Sequence, residues 1–496
     1  MQRLSQDTLA KLSPGSRRPH YDRTKLAIGM AHIGVGAFHR CHQGEFTDDM
    51  LEARFGSWGV VGINLRPPLL TDILAPQDGL YSRTLREGAS AQTRVIGAIR
   101  KVIDIRDPTD GEAAISALAA PQIKVVTMTL TEKGYCHIPS SGALDWSRPD
   151  VICDRDGASP PASALGLLAL ALERRRRTGA GGLTLISCDN VPGNGALLRS
   201  VLTAFIAAQS SPLAAWIETN VAFPSTMVDR IAPAPTAEDL VSASETIGAR
   251  DEAAVVGEPF RQWVIDDHFA ADRPPWDLAG AQFVADVTPY ELIKMRVLNA
   301  AQSTLSHLGA LLGHAFSFQA ADDPVLAPLV RRMLERETAG TLPHAPGMRI
   351  APYIDTSLSR IANSAIRHRC HQIGTDGSQK IVQRLVNPLR ERLAARHAPG
   401  LLALAVTSWL AYVLCGARRF GNRWQPDDPM AAEVIAIGEQ TGDDFDGLAR
   451  ALIGIEAVFG RDLRDSTAVP AIAMHLRGLL TGDPQGYLRE CLVEYV

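Results

Sequence analysis

The chain has 496 residues, a length that predicts two or three domains rather than a single core. Its composition, 46% hydrophobic and 21% charged, is that of a folded globular protein and excludes a disordered chain. A formal net charge of -4 gives no electrostatic footprint for nucleic acid or for an anionic membrane, so neither is expected as a partner.

In chain order, residues 27–33 form a short apolar run that enters a glycine turn and read as a strand. Residues 42–53 follow as a helix, with Phe46, Met50 and Leu51 available for one face, and residues 59–64 as a second strand. Residues 81–100 are richer in Thr and Val with short alternation, which suggests an inserted antiparallel piece. Helices at 109–119 and 163–177 alternate with apolar, β-branched runs at 123–128 and 183–187. The run Arg174, Arg175, Arg176 and Arg177 reads as the polar face or end of its helix rather than a binding patch. Strands alternating with helices predict an α/β fold with a doubly wound parallel sheet.

The character changes near Asp286. From Thr288 strand signals become rare, and Pro289 suits the first turn of a helix. Leu292, Met295, Leu298, Leu305 and Leu308 recur at roughly helical spacing, and segments 322–338, 355–368, 380–396, 401–417 and 446–459 also read as helices. The predicted division is an α/β domain over 1–286 and a mainly α-helical domain over 287–496. Segment 401–417 is uncharged and apolar but short for a membrane span and contains Thr407 and Ser408, so a buried helix is expected. The cysteines Cys41, Cys136, Cys153, Cys188, Cys370, Cys415 and Cys491 are odd in number and form no C-x-x-C pair. With no apolar signal core in residues 1–18, they fit a reducing, cytoplasmic location.

The stretch "HIGVGAFHRCHQGEFTDDML", residues 32–51, resembles a dinucleotide-binding turn without its last glycine. In G-x-G-x-x-G the first glycine permits the tight turn, the second lets backbone amides approach a pyrophosphate, and the third allows close packing of helix on strand. Gly34 and Gly36 meet the first two needs. His39 occupies the third position, so the helix is expected to start later or to stand further off the sheet. No Asp or Glu occurs between Gly62 and Thr71, at the end of the second strand, where an acid would bind the adenosine ribose. Arg66 is the polar group there, and it could accept a 2′-phosphate, stack on adenine, or be a solvated loop arginine. The missing acid removes the usual rejection of NADP, so discrimination between the two dinucleotides is expected to be weak, about tenfold, which corresponds to about 1.4 kcal/mol.

Three further stretches carry candidate chemistry. "ISCDNVPGNG" places Asp189 and Asn190 at the carboxyl end of a strand, where ligands sit in open α/β sheets. "FPSTMVDRIAP" carries Asp229 and Arg230, which could equally be a buried structural ion pair. "YELIKMRVLNAAQSTLSHLG" reads as an amphipathic helix with Lys294, Arg296, Asn299 and Gln302. Lys294 and Asn299 are five apart and do not share one tight stripe. With no clustered Cys/His ligand set, no metal is expected. An alcohol dehydrogenase without a metal needs a base, which a partly buried lysine of lowered pKa can supply, and donors for a developing alkoxide, which asparagine amides can supply. A solvated surface lysine is the bland alternative for Lys294.

The motifs "GVGAFHRCHQ", "APQDGLY", "TEKGY", "SCDNVPGNG", "FPSTMVDRI", "KMRVLN" and "DGSQK" occur in order between residues 34 and 380. Together they resemble the polyol-specific long-chain dehydrogenase/reductase (mannitol dehydrogenase) family. The resemblance implies a Rossmann-type N-terminal domain, a helical C-terminal domain that binds substrate, and metal-independent hydride transfer between nicotinamide and a secondary alcohol. It implies that the turn Gly34, Gly36, Ala37, Phe38, His39 and Arg40 is the family's cofactor turn, with His39 a family feature. It further implies Lys294 as general base, Asn190 and Asn299 as the oxyanion hole, and Glu291 beside a proton path. Asp229 and Lys380 would contact substrate hydroxyls or carboxylate.

Two positions depart from the family pattern. Gln302 stands where K-x-R-x-x-N-x-x-H has histidine, and glutamine cannot carry a proton. Gln372 stands eight before Lys380, where the mannitol-type enzymes have a basic residue. Together with "LRPP" and "APQDGLY" this leans toward the fructuronate reductase (D-mannonate oxidoreductase) branch. The leading expectation is an NAD(P)-dependent enzyme interconverting a mannitol-like polyol and a 2-ketose, with Gln302 and Gln372 at the substrate wall. The alternatives are a sugar-acid substrate and a catalytically silent nucleotide-binding protein. The expected partners are small molecules (polyol, ketose or sugar acid), in a monomer or small homo-oligomer.

Overall fold

The computed structural model describes residues 1–67, 69–138 and 141–495. Pro68 of the "LRPP" stretch and Val496, the last residue of the predicted helical domain, lie outside the described residues. The chain divides into two compact units, Met1–Thr288 and Pro289–Val496.

The centre of the first unit is a six-stranded sheet in the spatial order Ile99–Asp104, Gly59–Asn64, Ile28–Ile33, Val125–Met128, Leu183–Ser187 and Val221–Ala222. All neighbouring pairs are parallel. Numbered along the chain within this sheet, the order is 3-2-1-4-5-6, that of a Rossmann sheet with its switch point between the first and fourth strands. The strands are buried on both faces, as a parallel sheet covered by helices requires, and so read as near-continuous apolar runs.

Local signals set the covering helices. Asp107 caps the helix Pro108–Ala119 by accepting from the N–H groups of Thr109 and Asp110, and Pro108 occupies the first turn. Ser163 caps Ala164–Thr178, and Gly179 ends it in the left-handed region at φ +66°. The arginine run closes this helix. Arg175 is buried and donates to the carbonyls of Leu118, Ala120 and Gly182, while Arg174 pairs with Glu112 and Arg176 with Glu173.

The predicted insertion at 81–100 is a hairpin only over Tyr81–Glu87 and Ser90–Ile96. Its last residues, Ile99 and Arg100, instead begin the edge strand of the main sheet beside Gly59–Asn64. Val255–Gly257 adds a third strand to the hairpin. A further small sheet joins Thr226–Asp229, Gln262–Asp266 and Gln282–Val284, short strands that carried no clear periodicity.

A buried ion network ties these pieces to the helix Gln43–Ala53. Glu45 on that helix accepts from Arg83 of the hairpin at 2.8 Å and pairs with Arg230, which follows Thr226–Asp229. Arg230 thus does form a buried ion pair, with Glu45. Burial raises the Glu45 pKa, but the guanidiniums of Arg230, Arg83, Arg261 and Arg94 outweigh it and hold the carboxyl at about 2. A depressed carboxyl stabilises the fold above its unfolded pKa and loses that contribution as pH falls through the folded value. Stability of the first unit is therefore expected to fall between about pH 4.5 and pH 2, and Glu45→Ala to cost about 3–5 kcal/mol at neutral pH by stranding buried arginines. Urea denaturation of wild type and variant across pH checks both. A variant within 1 kcal/mol of wild type would show that the network is dispensable.

The described elements of the second unit are helices, joined by one isolated antiparallel bridge between Phe316 and Arg369. Segment 401–417 is the helix Gly400–Leu414, buried along its whole length. It packs against Ala300–Leu311 and Ala468–Leu480. Among the described residues no helix is long and apolar enough to cross a membrane. The helix predicted at 355–368 lies earlier, at Ile350–Ile361, and the one predicted at 446–459 breaks at Gly454 into Phe445–Ile453 and Glu456–Phe459. Of the predicted 322–338, the helix begins only at Leu326 and runs into the π-helical Met333–Thr338, and 380–396 contains the π-helical turn Val382–Val386.

The segment carrying Lys294 is not amphipathic. From Ile293 to Leu311 every residue is buried except Gln302. The reason is its place within the second unit, where Ala300–Leu311 is packed by Ser317–Asp322, Leu326–Arg332, Cys370–Gly374 and Gly400–Leu414.

Candidate active site

The glycine turn leaves the first strand at the switch point. Gly34 has φ +91°, and a Cβ there would lie 2.2 Å from the Thr129 carbonyl oxygen, so both the turn and the neighbouring strand demand glycine. Gly36 is different. A Cβ added to it meets only the Gly34 oxygen, at 3.9 Å, so the protein itself leaves that side open for a ligand. Around it lies a cavity of about 410 Å³ lined by Gly34, Gly36, Asn64, Arg66, Thr129 and Asp150 among others. The residues present therefore fit a dinucleotide at the carboxyl ends of the strands.

The helix does not start late, contrary to the expectation from His39. It begins at Ala37, directly after Gly36, and breaks at His42 before continuing as Gln43–Ala53. The missing third glycine is compensated by a ring pair: His39 stacks on His32 of the first strand with centroids 3.4 Å apart. Burial drives His32 down to about 3, with the Gly34 carbonyl opposing, and burial together with His32 lowers His39, so two neutral rings stack without repulsion. His32 also reaches Thr127, the Gly34 carbonyl and Thr129 at 2.7–3.0 Å, pinning the turn to the fourth strand. Phe38 stacks on His42, and Arg40 is buried 5.9 Å over the Tyr81 ring. His39 and Arg40 thus buttress the turn from behind.

Two residues of this site, Asn64 and Asp150, were not singled out from the sequence. Asn64, closing the second strand, accepts from the Val35 N–H at 2.7 Å and donates to Asp104 at 2.8 Å, holding the turn from the other side. A polar residue ending an otherwise apolar strand was the available signal. Asp189 accepts from the N–H groups of Leu130 and Thr131 and from Tyr135, strapping the cavity-lining loop to the end of the fifth strand. Asp150 binds Arg66 at 2.7 Å across the cavity wall, from 84 residues away.

Asn190 follows Asp189 and is exposed. Asn194, four residues on, donates to the carbonyls of Asp189 and Thr226, and the Thr226 N–H donates back to it. This staple seats the strand ending in buried Asp229 against the Asn190 loop. Within the first unit the glycine turn and Arg66 line one cavity, and Asn190 and Asp229 are not among its lining residues.

The second unit carries Glu291, Lys294, Asn299, Gln302, Gln372 and Lys380. Lys294 is 3% exposed, which removes the solvated-surface reading. It ends the α-helix Thr288–Lys294, and Met295–Asn299 is a π-helical turn in which the Ala300 N–H donates to the Met295 carbonyl. In an α-helix residues five apart lie about 140° apart around the axis. The wider i→i+5 turn narrows that angle. The Asn299 amide nitrogen rests 3.1 Å from the Met295 sulfur, a weak acceptor. Arg296 holds the turn in place through a bidentate pair with Glu391 at 2.6 and 2.7 Å.

Gln302 is half-buried and Gln372 is exposed, on the helix Cys370–Gly374. Lys380 donates to the Thr375 carbonyl at 2.5 Å, and Arg384 donates to Ser303 at 3.0 Å. Buried His307 feels the charge of both. Burial first, then the Lys380 and Arg384 charges, lower its pKa to about 3. Among the described residues no group of three or more His, Cys, Asp or Glu side chains is placed to hold a metal ion.

Residues 28–278 match the mannitol dehydrogenase Rossmann domain and residues 286–480 the mannitol dehydrogenase C-terminal domain. The chain belongs to the mannitol dehydrogenase family and is an oxidoreductase. It is similar to the D-mannonate oxidoreductase of Escherichia coli (strain K12), 39% identical over 90% of this chain and 92% of that one. It is also similar to a mannitol 2-dehydrogenase of Pyrenophora tritici-repentis (strain Pt-1C-BFP), 35% identical over 93% of this chain and 81% of that one. Its structure resembles that of Pseudomonas fluorescens mannitol 2-dehydrogenase in a ternary complex with NAD and D-mannitol, with a TM-score of 0.87, 32% identity and 99% coverage of both chains.

The two glycines of the turn make separable predictions. Gly36→Ala is expected to leave thermal stability unchanged while weakening NADH binding at least tenfold, because the new methyl occupies ligand space. Gly34→Ala is expected to destabilise the protein by more than 1 kcal/mol through strain at positive φ and the clash with Thr129. Fluorescence titration of NADH with thermal unfolding of both variants checks this. NADH binding to Gly36→Ala at wild-type affinity would place the cofactor elsewhere.

Proposed function

We propose that this chain interconverts an open-chain polyol and its 2-ketose by hydride transfer to and from NAD, with the first unit binding the dinucleotide and the second the substrate. When bound, the nicotinamide accepts the hydride in oxidation and returns it in reduction. Lys294 acts as the general base: its Nζ takes the hydroxyl proton as the carbon is oxidised and returns it in reduction. The Asn299 amide donates to the developing alkoxide oxygen, and Glu291, half-buried one turn before Lys294, relays its proton toward water. Asp229, Gln302, Gln372 and Lys380 hold the remaining substrate groups. The observation that carries this reading is the buried π-turn, which narrows the angle between Lys294 and Asn299.

A second reading, in which the substrate is a sugar acid, is favoured by Lys380 and Arg384. The charges of both act on His307, and they would supply positive charge for a substrate carboxylate. NADH oxidation with fructose, fructuronate and tagaturonate tests both readings. Turnover of the neutral ketose supports the first and selective turnover of a uronate the second. NADH binding without consumption of any ketose would favour a silent nucleotide-binding protein.

A further inference from the structure

The second strand ends without the acid that usually reads the adenosine ribose, and Arg66 stands there instead. Arg66 does not face the cavity as a free cation. Its Nη2 donates to Asp150 Oδ2 at 2.7 Å, and both residues line the cavity that contains Gly34 and Gly36. The Asp150 side chain is 11% exposed, whereas that of Arg66 is 60% exposed. The carboxylate is thus the fixed partner and the guanidinium the movable one. Asp150 is fixed from behind by Arg148, which donates through Nε to Oδ1 at 3.0 Å and through Nη2 to Oδ2 at 2.9 Å.

We infer that Asp150 is a cofactor-specificity residue of this enzyme: it occupies Arg66 and places a fixed negative charge where a 2′-phosphate would lie, and so selects NAD over NADP. The inference rests on the dinucleotide reading of this cavity. The physical reason is twofold. A 2′-phosphate would have to draw Arg66 away from Asp150 to gain a bidentate partner. It would also bring its own charge beside a carboxylate that cannot move away. That carboxylate stays ionised throughout the working pH range: burial raises its pKa, but Arg148 and Arg66 outweigh it and hold it at about 2. The acid missing from the second strand is thus supplied from the first turn of the short helix Pro149–Arg155.

Asp150→Asn keeps the shape and removes the charge. NADH and NADPH are titrated by fluorescence into wild type, Asp150→Asn, Arg66→Gln and the double variant. Asp150→Asn is expected to raise NADPH affinity relative to NADH at least tenfold, and adding Arg66→Gln to cancel most of that gain. Arg66→Gln alone is expected to shift the ratio less than twofold, because Arg66 is already engaged. This second variant keeps the inference testable if Asp150→Asn does not fold. A ratio in Asp150→Asn within twofold of wild type, or a tenfold loss of NADPH affinity in Arg66→Gln alone, would overturn the inference while leaving the cofactor site in place. Wild type that binds neither dinucleotide would instead overturn the cofactor reading itself.

Discussion

Lys294→Ala is expected to lower both alcohol oxidation and ketose reduction by about 10²–10⁴, the range a general base contributes, with NADH affinity unchanged within about twofold. The split follows from the structure. Lys294 lies on the Thr288–Lys294 helix of the second unit, whereas the glycine turn and the cavity around it belong to the first. Removing the amine removes the proton acceptor without touching the residues that line that cavity. Because the deleted group is a primary amine, small primary amines added in solution are expected to restore part of the rate, with efficiency rising with their basicity. Retention of more than a tenth of wild-type turnover would place the base elsewhere.

Asn299→Ala is expected to lower turnover by about 10²–10³, the cost of deleting one oxyanion donor, again with NADH binding nearly intact. The Asn299 amide rests on the Met295 sulfur, so its hydrogen is directed but only weakly engaged and can pass to a charged oxygen at little cost. Asn299→Asp tests the donor separately from the volume: it preserves shape, deletes the N–H, and should be at least as slow as the alanine variant. Steady-state turnover with thermal unfolding of each variant separates a catalytic loss from a folding loss. Near wild-type turnover in either would remove Asn299 from the site.

What could be read from the sequence was local. Gly34, Gly36 and the apolar strands depend on neighbours a few residues away, and the structure places them as their chemistry requires. What could not be read was pairing at a distance. Glu45 meets Arg230 across 185 residues and Arg66 meets Asp150 across 84, and no spacing rule encodes either. The π-turn at Met295–Asn299 was invisible for another reason: i→i+5 bonding leaves the residue types unchanged, so only the expected α periodicity was available. His39 shows the limit of motif reading, because a broken fingerprint predicted a displaced helix while a stacked histidine pair kept it in place.

The most direct test of Lys294 as the shared acid and base is the pH dependence of kcat in both directions. Oxidation needs the neutral amine and reduction the ammonium, so oxidation should rise and reduction fall through one common pKa. A lysine at its ordinary pKa of about 10.4 would be almost wholly protonated at neutral pH, so the common limb should lie well below that value. Both limbs should vanish in Lys294→Ala. Limbs that persist unchanged in the variant, or that move in the same direction for oxidation and reduction, would contradict the assignment.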